Sequence, residues 1–404
     1  MSYPLNDKGK ILFYKYCMNL KNLVESQDVC GLPWTQIEIN LASNFIKPCC
    51  RFKESLGKVT DGIKPVWFNN FSDLREDFKS SNIVLNCNAC NVKSQSFSYK
   101  NWKTSAYLDL GIFDNVDTTN IQLPKVFHIS LDNACNLACR MCFPAASTKL
   151  EKLAKNSDLS KFYTMPSHQN EININNFSGS FVNAEFITIS GGEPLVNKKC
   201  FALIDQILAE SSNVKFINFS TNLTVLNQKL FNKLALLPAT IAISISIDGP
   251  PHIHEFIRSC SWQKIYENIK FLKSNYPQFK LAINSTLSSL NVGYIDETIL
   301  NLQSVEDNLN FKFERIKFGP VLELNLHAGV LPQPIKDSYI KKLQELDLTK
   351  FTIPFSTTGI STALDLLAVD LHQHTSTFLE FNQIFDSATN KSITDVYQEF
   401  KPYF

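Results

Sequence analysis

Between residues 126 and 322 six short apolar or β-branched runs recur, at 126–131, 186–190, 214–220, 241–247, 280–286 and 315–321. Most are separated by stretches of helical length and pattern, such as 200–210, 226–237 and 262–274. Strand and helix in alternation build a parallel sheet with right-handed crossovers, so the expected fold class is α/β. Six such units are fewer than the eight that close a full barrel, which allows a partial barrel or an open wound sheet. In either, chemistry gathers at the carboxyl ends of the strands. The unusual residues fall there: Cys135, Cys139 and Cys142 after the first run, Gly191 and Gly192 after the second, Thr221 and Asn222 after the third, Asp248 and Gly249 after the fourth.

The rest of the chain reads differently. Residues 1–100 form a small α+β module, with a hairpin of 35–40 against 45–49 and a helix over 71–80 capped by Asn70. Residues 101–124 are expected to be a linker of little pattern, 125–325 the α/β body, and 326–404 a helical segment in which 335–346 is clearest. No internal repeat of fixed period is present.

Composition removes several classes of function. The 39 Lys+Arg and 38 Asp+Glu leave a net charge of +1, too balanced to grip a phosphate backbone or an anionic membrane without sequence selectivity. No nucleic-acid or membrane partner is expected. No run of about 18 apolar residues occurs, and residues 1–30 lack the order of a signal peptide, so a cytoplasmic protein is expected. A reducing compartment argues against a disulfide framework, and the count of 11 cysteines is odd. Seven of them instead stand in two groups with metal-ligand spacing.

The run DNACNLACRMCFP places Cys135, Cys139 and Cys142 with three and then two residues between them. Offsets of four and seven would also stack small side chains on one helical face. Here, however, Asn133, Asn136 and Arg140 interrupt the run directly after a strand. Soft thiolates in a compact loop suit an iron-sulfur cluster or zinc, and three ligands where four would close the site leave one metal position open. The spacing resembles the signature of the radical S-adenosylmethionine (SAM) superfamily. That resemblance implies a partial (β/α)6 barrel and a 4Fe-4S cluster whose open iron binds the amino and carboxylate groups of SAM. It further implies reductive cleavage of SAM to a 5'-deoxyadenosyl radical that abstracts hydrogen, and an electron donor such as flavodoxin or ferredoxin.

A second run, ITISGGEPL, resembles the same superfamily's GGEP motif for the SAM amino group. Gly191 and Gly192 let backbone approach a ligand, Glu193 offers a negative partner to an ammonium, and Pro194 fixes the loop exit. By the same resemblance Ser220, Thr221 and Asn222, with Ser246, Asp248 and Gly249, face the ribose hydroxyls and the methionine carboxylate. Arg258 resembles the arginine that pairs with that carboxylate, and Met141 takes the place of a bulky residue against adenine.

At the front, Cys30, Cys49, Cys87 and Cys90 make a four-thiolate set with Cys50 as rival to Cys49, and spacing alone fits a closed 4Fe-4S cluster or structural zinc. The order PW, PCC, Trp67, Leu74 and Arg75, then C-x2-C, resembles the twitch domain, a shorter form of the SPASM auxiliary-cluster domain. The likeness covers roughly residues 28–325 and implies a second 4Fe-4S cluster. It also implies a peptide or protein substrate, with a small molecule such as a sugar or nucleotide derivative as alternative and a non-catalytic electron-transfer or sensor protein as a third reading. Cys17, Cys200 and Cys260 read as small buried hydrophobes. His252 with His254, and His372 with His374, are spaced to share a strand face and are read as solvated or locally bonded.

Overall fold

The computed structural model describes residues 19–27, 29–80, 84–87, 99–166, 172, 174–321, 323–355 and 358–404; Cys17 and Cys90 lie outside them. Eight strands form one mostly parallel sheet in the order β2-β1-β3-β4-β5-β6-β7-β8. They are β1 Gln36–Asn40, β2 Phe45–Lys47, β3 Val126–Ser130, β4 Phe186–Ser190, β5 Phe216–Thr221, β6 Thr240–Ser246, β7 Lys280–Leu287 and β8 Ile316–Pro320. All six expected runs are strands, and the fold is α/β as expected. The front hairpin also forms: β1 pairs β2 antiparallel, with Glu38 opposite Lys47. Its inner strand then continues the sheet, since β1 lies parallel to β3 with Gln36 opposite Val126 and Asn40 opposite Ser130.

The chain divides into two compact units, the first made of residues 1–130, 169–188 and 201–215. Its helices include α1 Leu20–Gln27, α2 Phe71–Lys79 and α3 Tyr99–Asp109. Leu20, Trp34, Cys49, Phe52, Leu74, Tyr107 and Phe113 share one core, with Cys30 and Cys87 packed against it. The helix α3 corrects the expectation that 101–124 has little pattern. Its buried face carries Lys103 and Tyr107, and Ile112 and Phe113 follow it into the core. Asn70 precedes α2, but its side chain does not cap the helix; its Nδ2 donates to the Leu56 carbonyl at 2.6 Å. Arg75 ties the module together: Nε and Nη1 donate to the carbonyls of Pro33 and Trp67, both at 2.9 Å, while its guanidinium lies 4.5 Å from the Trp67 ring centroid. Burial lowers its pKa to about 10, and the two carbonyls offset part of the cost of taking a cation out of water.

The second unit comprises residues 131–168, 189–200 and 216–404. Here β6 shows why the sequence folds as it does. Ile241, Ile243 and Ile245 are buried on one face, while Ala242, Ser244 and Ser246 alternate onto the other, where Ser244 Oγ donates to Asn218 Oδ1 on β5 at 2.8 Å. A strand covered on both sides in this way belongs inside a parallel sheet. The chain's further helices are α4 Thr148–Lys155, α5 Lys198–Glu210, which lies mostly in the first unit, α6 Gln228–Leu234, α7 Pro251–Arg258, α8 Trp262–Asn275, α9 Ile295–Leu309, α10 Gln333–Gln344, α11 Thr358–Ala368 and α12 Thr375–Thr389. Among the described residues, no helix is long and apolar enough to cross a membrane.

Candidate active site

The cysteine loop and the double-glycine turn, read as two separate motifs, are one hydrogen-bonded object. Glu193 N donates to the Ala134 carbonyl at 2.8 Å. Gly191 and Gly192 have φ of 80° and 51°, a left-handed backbone that favours glycine. A Cβ on Gly192 would lie 2.4 Å from the carbonyl oxygen of Ala134 and 2.7 Å from that of Asp132. The glycine is therefore required by the approach of the cysteine loop itself.

Around this junction polar side chains close on one another. Asp132 accepts Asn197 Nδ2 at 2.6 Å and pairs with Lys199 at 2.9 Å. Asn222 Nδ2 donates to Asn136 Oδ1 at 3.0 Å, and Asn136 Nδ2 donates to Thr224 Oγ1 at 2.8 Å. Asn133 Nδ2 reaches Glu151 of α4 at 2.8 Å. Sequence reading singled out none of Asp132, Thr224 or Glu151 as functional, since a lone carboxylate or hydroxyl carries no motif. Glu193 is 1% exposed, and its carboxylate accepts from Thr221 Oγ1 at 2.6 Å, Leu195 N at 3.0 Å and Asn222 N at 2.7 Å. Burial raises its pKa while those three bonds pull it down. It locks the ends of β4 and β5 together, and three of its roughly four acceptor positions are filled by the protein.

The cysteine loop sits against the end of α7. Cys139 Sγ donates to the Arg258 carbonyl at 3.8 Å, Arg140 N to the Ile257 carbonyl at 2.8 Å, and Cys142 N to the Cys139 carbonyl at 3.1 Å. Burial raises all three thiol pKa values, that of Cys142 to about 11. A bound cation is what would turn such thiols into thiolates. Among the described residues no three His, Cys, Asp or Glu side chains could hold one metal ion between them. Thiolates of a 4Fe-4S cluster each bind a different iron and need not share one point. The donor set thus fits that cluster.

Residues 129–299, which hold this whole constellation, match the family model of the Radical SAM superfamily. This segment is similar to a radical SAM domain. Its fold is the partial-barrel α/β type. The chain is 25% identical over 202 residues to GTP 3',8-cyclase of Aquifex aeolicus (strain VF5), a match covering 50% of this chain and 58% of that one. Among solved structures it is similar to anSMEcpe with bound AdoMet, at 18% identity and a TM-score of 0.40, covering 57% of this chain and 63% of that one. It is also similar to Streptococcus suis SuiB, at 13% identity and a TM-score of 0.36, covering 72% and 63%. The matches span less than two thirds of each of these relatives.

Elsewhere in the matched segment, Asp248 is the organiser of the end of β6. One carboxylate oxygen accepts Arg258 Nε at 2.6 Å, and the other accepts Thr286 N at 2.8 Å. Burial pulls the Arg258 pKa down, but Asp248 and Cys139 outweigh it, so the guanidinium is held charged. Asp248 is Arg258's hydrogen-bond partner through Nε, an arrangement that leaves the terminal nitrogens' fork for a carboxylate. Ser220 and Ser246 are half-buried at the ends of β5 and β6, and Met141 is half-buried in the cysteine loop. The histidine pair departs from expectation: His252 and His254 lie on helix α7, because Pro250 and Pro251 open a helix there. His254 is buried, accepts Asp248 N on Nδ1 at 3.3 Å and meets Cys260 Sγ at 3.5 Å; burial lowers its pKa to about 3, so it stays neutral. His372 and His374 form a short 3-10 turn, and His372 pairs with Asp370 at 2.9 Å. Cys200 is buried, as expected of a small hydrophobe.

In the first unit the described front cysteines also gather. Cys30, Cys49 and Cys87 border one apolar core, and Lys53 N donates to the Asn86 carbonyl at 3.1 Å, joining the two cysteine-bearing segments. Cys49 is 8% exposed and Cys50 is exposed. Burial, with Cys30 and Cys50 nearby, raises the Cys49 thiol well above its ordinary range. Tyr107 donates to Gln36 Oε1, and Gln36 Nε2 donates to the Pro48 carbonyl at 2.8 Å, anchoring the residue before Cys49.

Proposed function

We propose that this chain is a radical SAM enzyme that modifies a peptide or protein side chain and carries a second, auxiliary 4Fe-4S cluster. The observation that carries the reading is the union of the cysteine loop with the Gly191–Pro194 turn through Glu193 N and Ala134 O. That hydrogen bond would hold the two halves of a SAM site in one relation. Cys135, Cys139 and Cys142 would hold the first cluster, with Gly191, Gly192, Glu193 and Pro194 toward the SAM amino group. Ser220, Asn222, Ser246 and Asp248 would line the ribose side, Met141 the adenine, and Arg258 the carboxylate. When bound, the cluster supplies the electron that cleaves SAM to a 5'-deoxyadenosyl radical. The chain's own residues would keep Arg258 charged through Asp248 and hold Glu193 in place through three protein donors.

Cys30, Cys49, Cys87 and Cys90 would hold the auxiliary cluster in a twitch-like module over about residues 1–100. A closed cluster there would relay electrons or support the substrate cavity. The order of Trp34, Cys49, Trp67, Arg75 and Cys87 supports this reading, and Arg75 physically joins the Pro33 and Trp67 elements of that order. The peptide substrate rests on the same twitch resemblance. A second reading, a small-molecule substrate such as a nucleotide derivative, is favoured by the likeness to a GTP 3',8-cyclase.

The test is anaerobic purification, iron analysis and SAM turnover under dithionite. About seven to eight irons per chain and release of 5'-deoxyadenosine are expected. Intact SAM after full cluster reconstitution overturns the enzyme reading. Stimulation by a short precursor encoded beside the gene, or instead by a nucleotide, separates the two substrates.

A further inference from the structure

Arg140 stands between the second and third cysteines and is fully buried, yet the chemistry proposed above gives it no task. A guanidinium withdrawn from water requires partners matched to its fork. Arg140 finds them on α12: Nη1 donates to Asn382 Oδ1 at 3.3 Å and Nη2 to Asp386 Oδ1. Its Cζ lies 4.0 Å from the Phe256 ring centroid and 4.6 Å from that of Phe385. Asn382 and Asp386 are four residues apart and so share one helical face. Asp386 is fixed in turn, because its second oxygen accepts Ile393 N at 2.7 Å.

The same stretch holds the other half of the site. Lys391 Nζ donates to the Glu255 carbonyl at 2.8 Å, in the last turn of α7, just before Arg258. Arg140 N meets the Ile257 carbonyl, and Cys139 Sγ meets the Arg258 carbonyl. Residues 382–393 therefore grip both the cysteine loop and the helix end that carries Arg258.

We propose that Arg140 is a positioning residue, and that α12, through Asn382 and Asp386, sets the spacing between the cluster loop and Arg258 so that one SAM molecule reaches both. This rests on the radical SAM reading. The C-terminal segment thereby becomes part of the cofactor site without touching the cofactor.

The experiment compares wild type, Asp386→Asn and the double variant Arg140→Met/Asp386→Leu as full-length proteins. In iron-free protein, hydrogen exchange at the Arg140 and Ser259 amides should be about tenfold faster in Asp386→Asn, with β6 amides unchanged. After anaerobic reconstitution, iron content should stay at the wild-type level while the Kd for SAM rises about tenfold. The change that SAM induces in the electron paramagnetic resonance spectrum of the reduced cluster should also weaken. An apolar pair can replace a buried ion pair without loss of stability, so the double variant should recover thermal stability but not SAM affinity. Wild-type SAM affinity in folded Asp386→Asn, or full recovery of affinity in the double variant, overturns the proposal. If wild type binds neither iron nor SAM, the functional reading fails by itself. The exchange measurement still decides the anchoring: unchanged local exchange overturns it and faster exchange supports it.

Discussion

Gly192 lies so close to Ala134 that a Cβ at position 192 would stand 2.4 Å from the Ala134 carbonyl oxygen. The obstacle is backbone, which cannot swing aside as a side chain would. Gly192→Ala must therefore separate the turn from the cysteine loop or unfold both. The left-handed φ of 51° alone costs roughly 1–2 kcal/mol for a residue with a Cβ. The expected outcome is a lower melting temperature and at least about a tenfold loss of SAM affinity by calorimetry.

Thr221→Val is nearly isosteric but deletes the hydroxyl that donates to Glu193. A buried carboxylate deprived of one of its three donors should cost about 1–3 kcal/mol. Denaturant unfolding of the iron-free protein measures this, and Thr221→Ser should restore most of it.

Glu38, half-buried on β1, has its pKa raised by burial from 4.5 to about 7, against the pull of Lys47 and Lys103. Below pH 4.5 the folded and unfolded chains both hold the proton. As pH rises toward 7 the unfolded chain releases it first, so this group's contribution to folded stability is lost. At 1.36 kcal/mol per unit the loss is at most about 3 kcal/mol, and less where solvent screens the carboxyl. Glu38→Gln should match wild type near pH 4.5 and exceed it in stability at pH 8.

Cys49 is buried beside Cys30 while Cys50 faces solvent. Replacing Cys49 by Ser should remove about half of the bound iron and leave SAM cleavage partly intact, whereas Cys50→Ser should retain both clusters. Iron counting with parallel product analysis checks the pair.

The strands were legible because alternation such as Ile241, Ile243 and Ile245 against Ala242, Ser244 and Ser246 is written in side-chain type. The helix α3 was not, because its buried face consists of Lys103 and Tyr107, which an apolar count does not register. Period-two spacing suggested a strand at His252 and His254, but two prolines before them start a helix. The motif cysteines, glycines and Arg258 could be named in advance, whereas their supports could not. Arg140 looked like an interruption of the cysteine run, and its partner Asp386 is 246 residues away. Glu193 read as a partner for an ammonium, and only the folded chain shows Leu195, Thr221 and Asn222 taking three of its bonds. Long-range pairing of polar groups leaves no local periodicity.

The parallel pairing of β1 with β3 joins Gln36 to Val126 and Asn40 to Ser130. A strand that waits for a partner some ninety residues downstream is slow to settle, and contacts this distant in the chain are made after local ones. Cys30, Cys49 and Cys87 all precede β3 in the chain. The strand that lies between Cys30 and Cys49 thus gains its parallel partner only once β3 has been made. The cysteines after β3 emerge when the strand that precedes them is already complete.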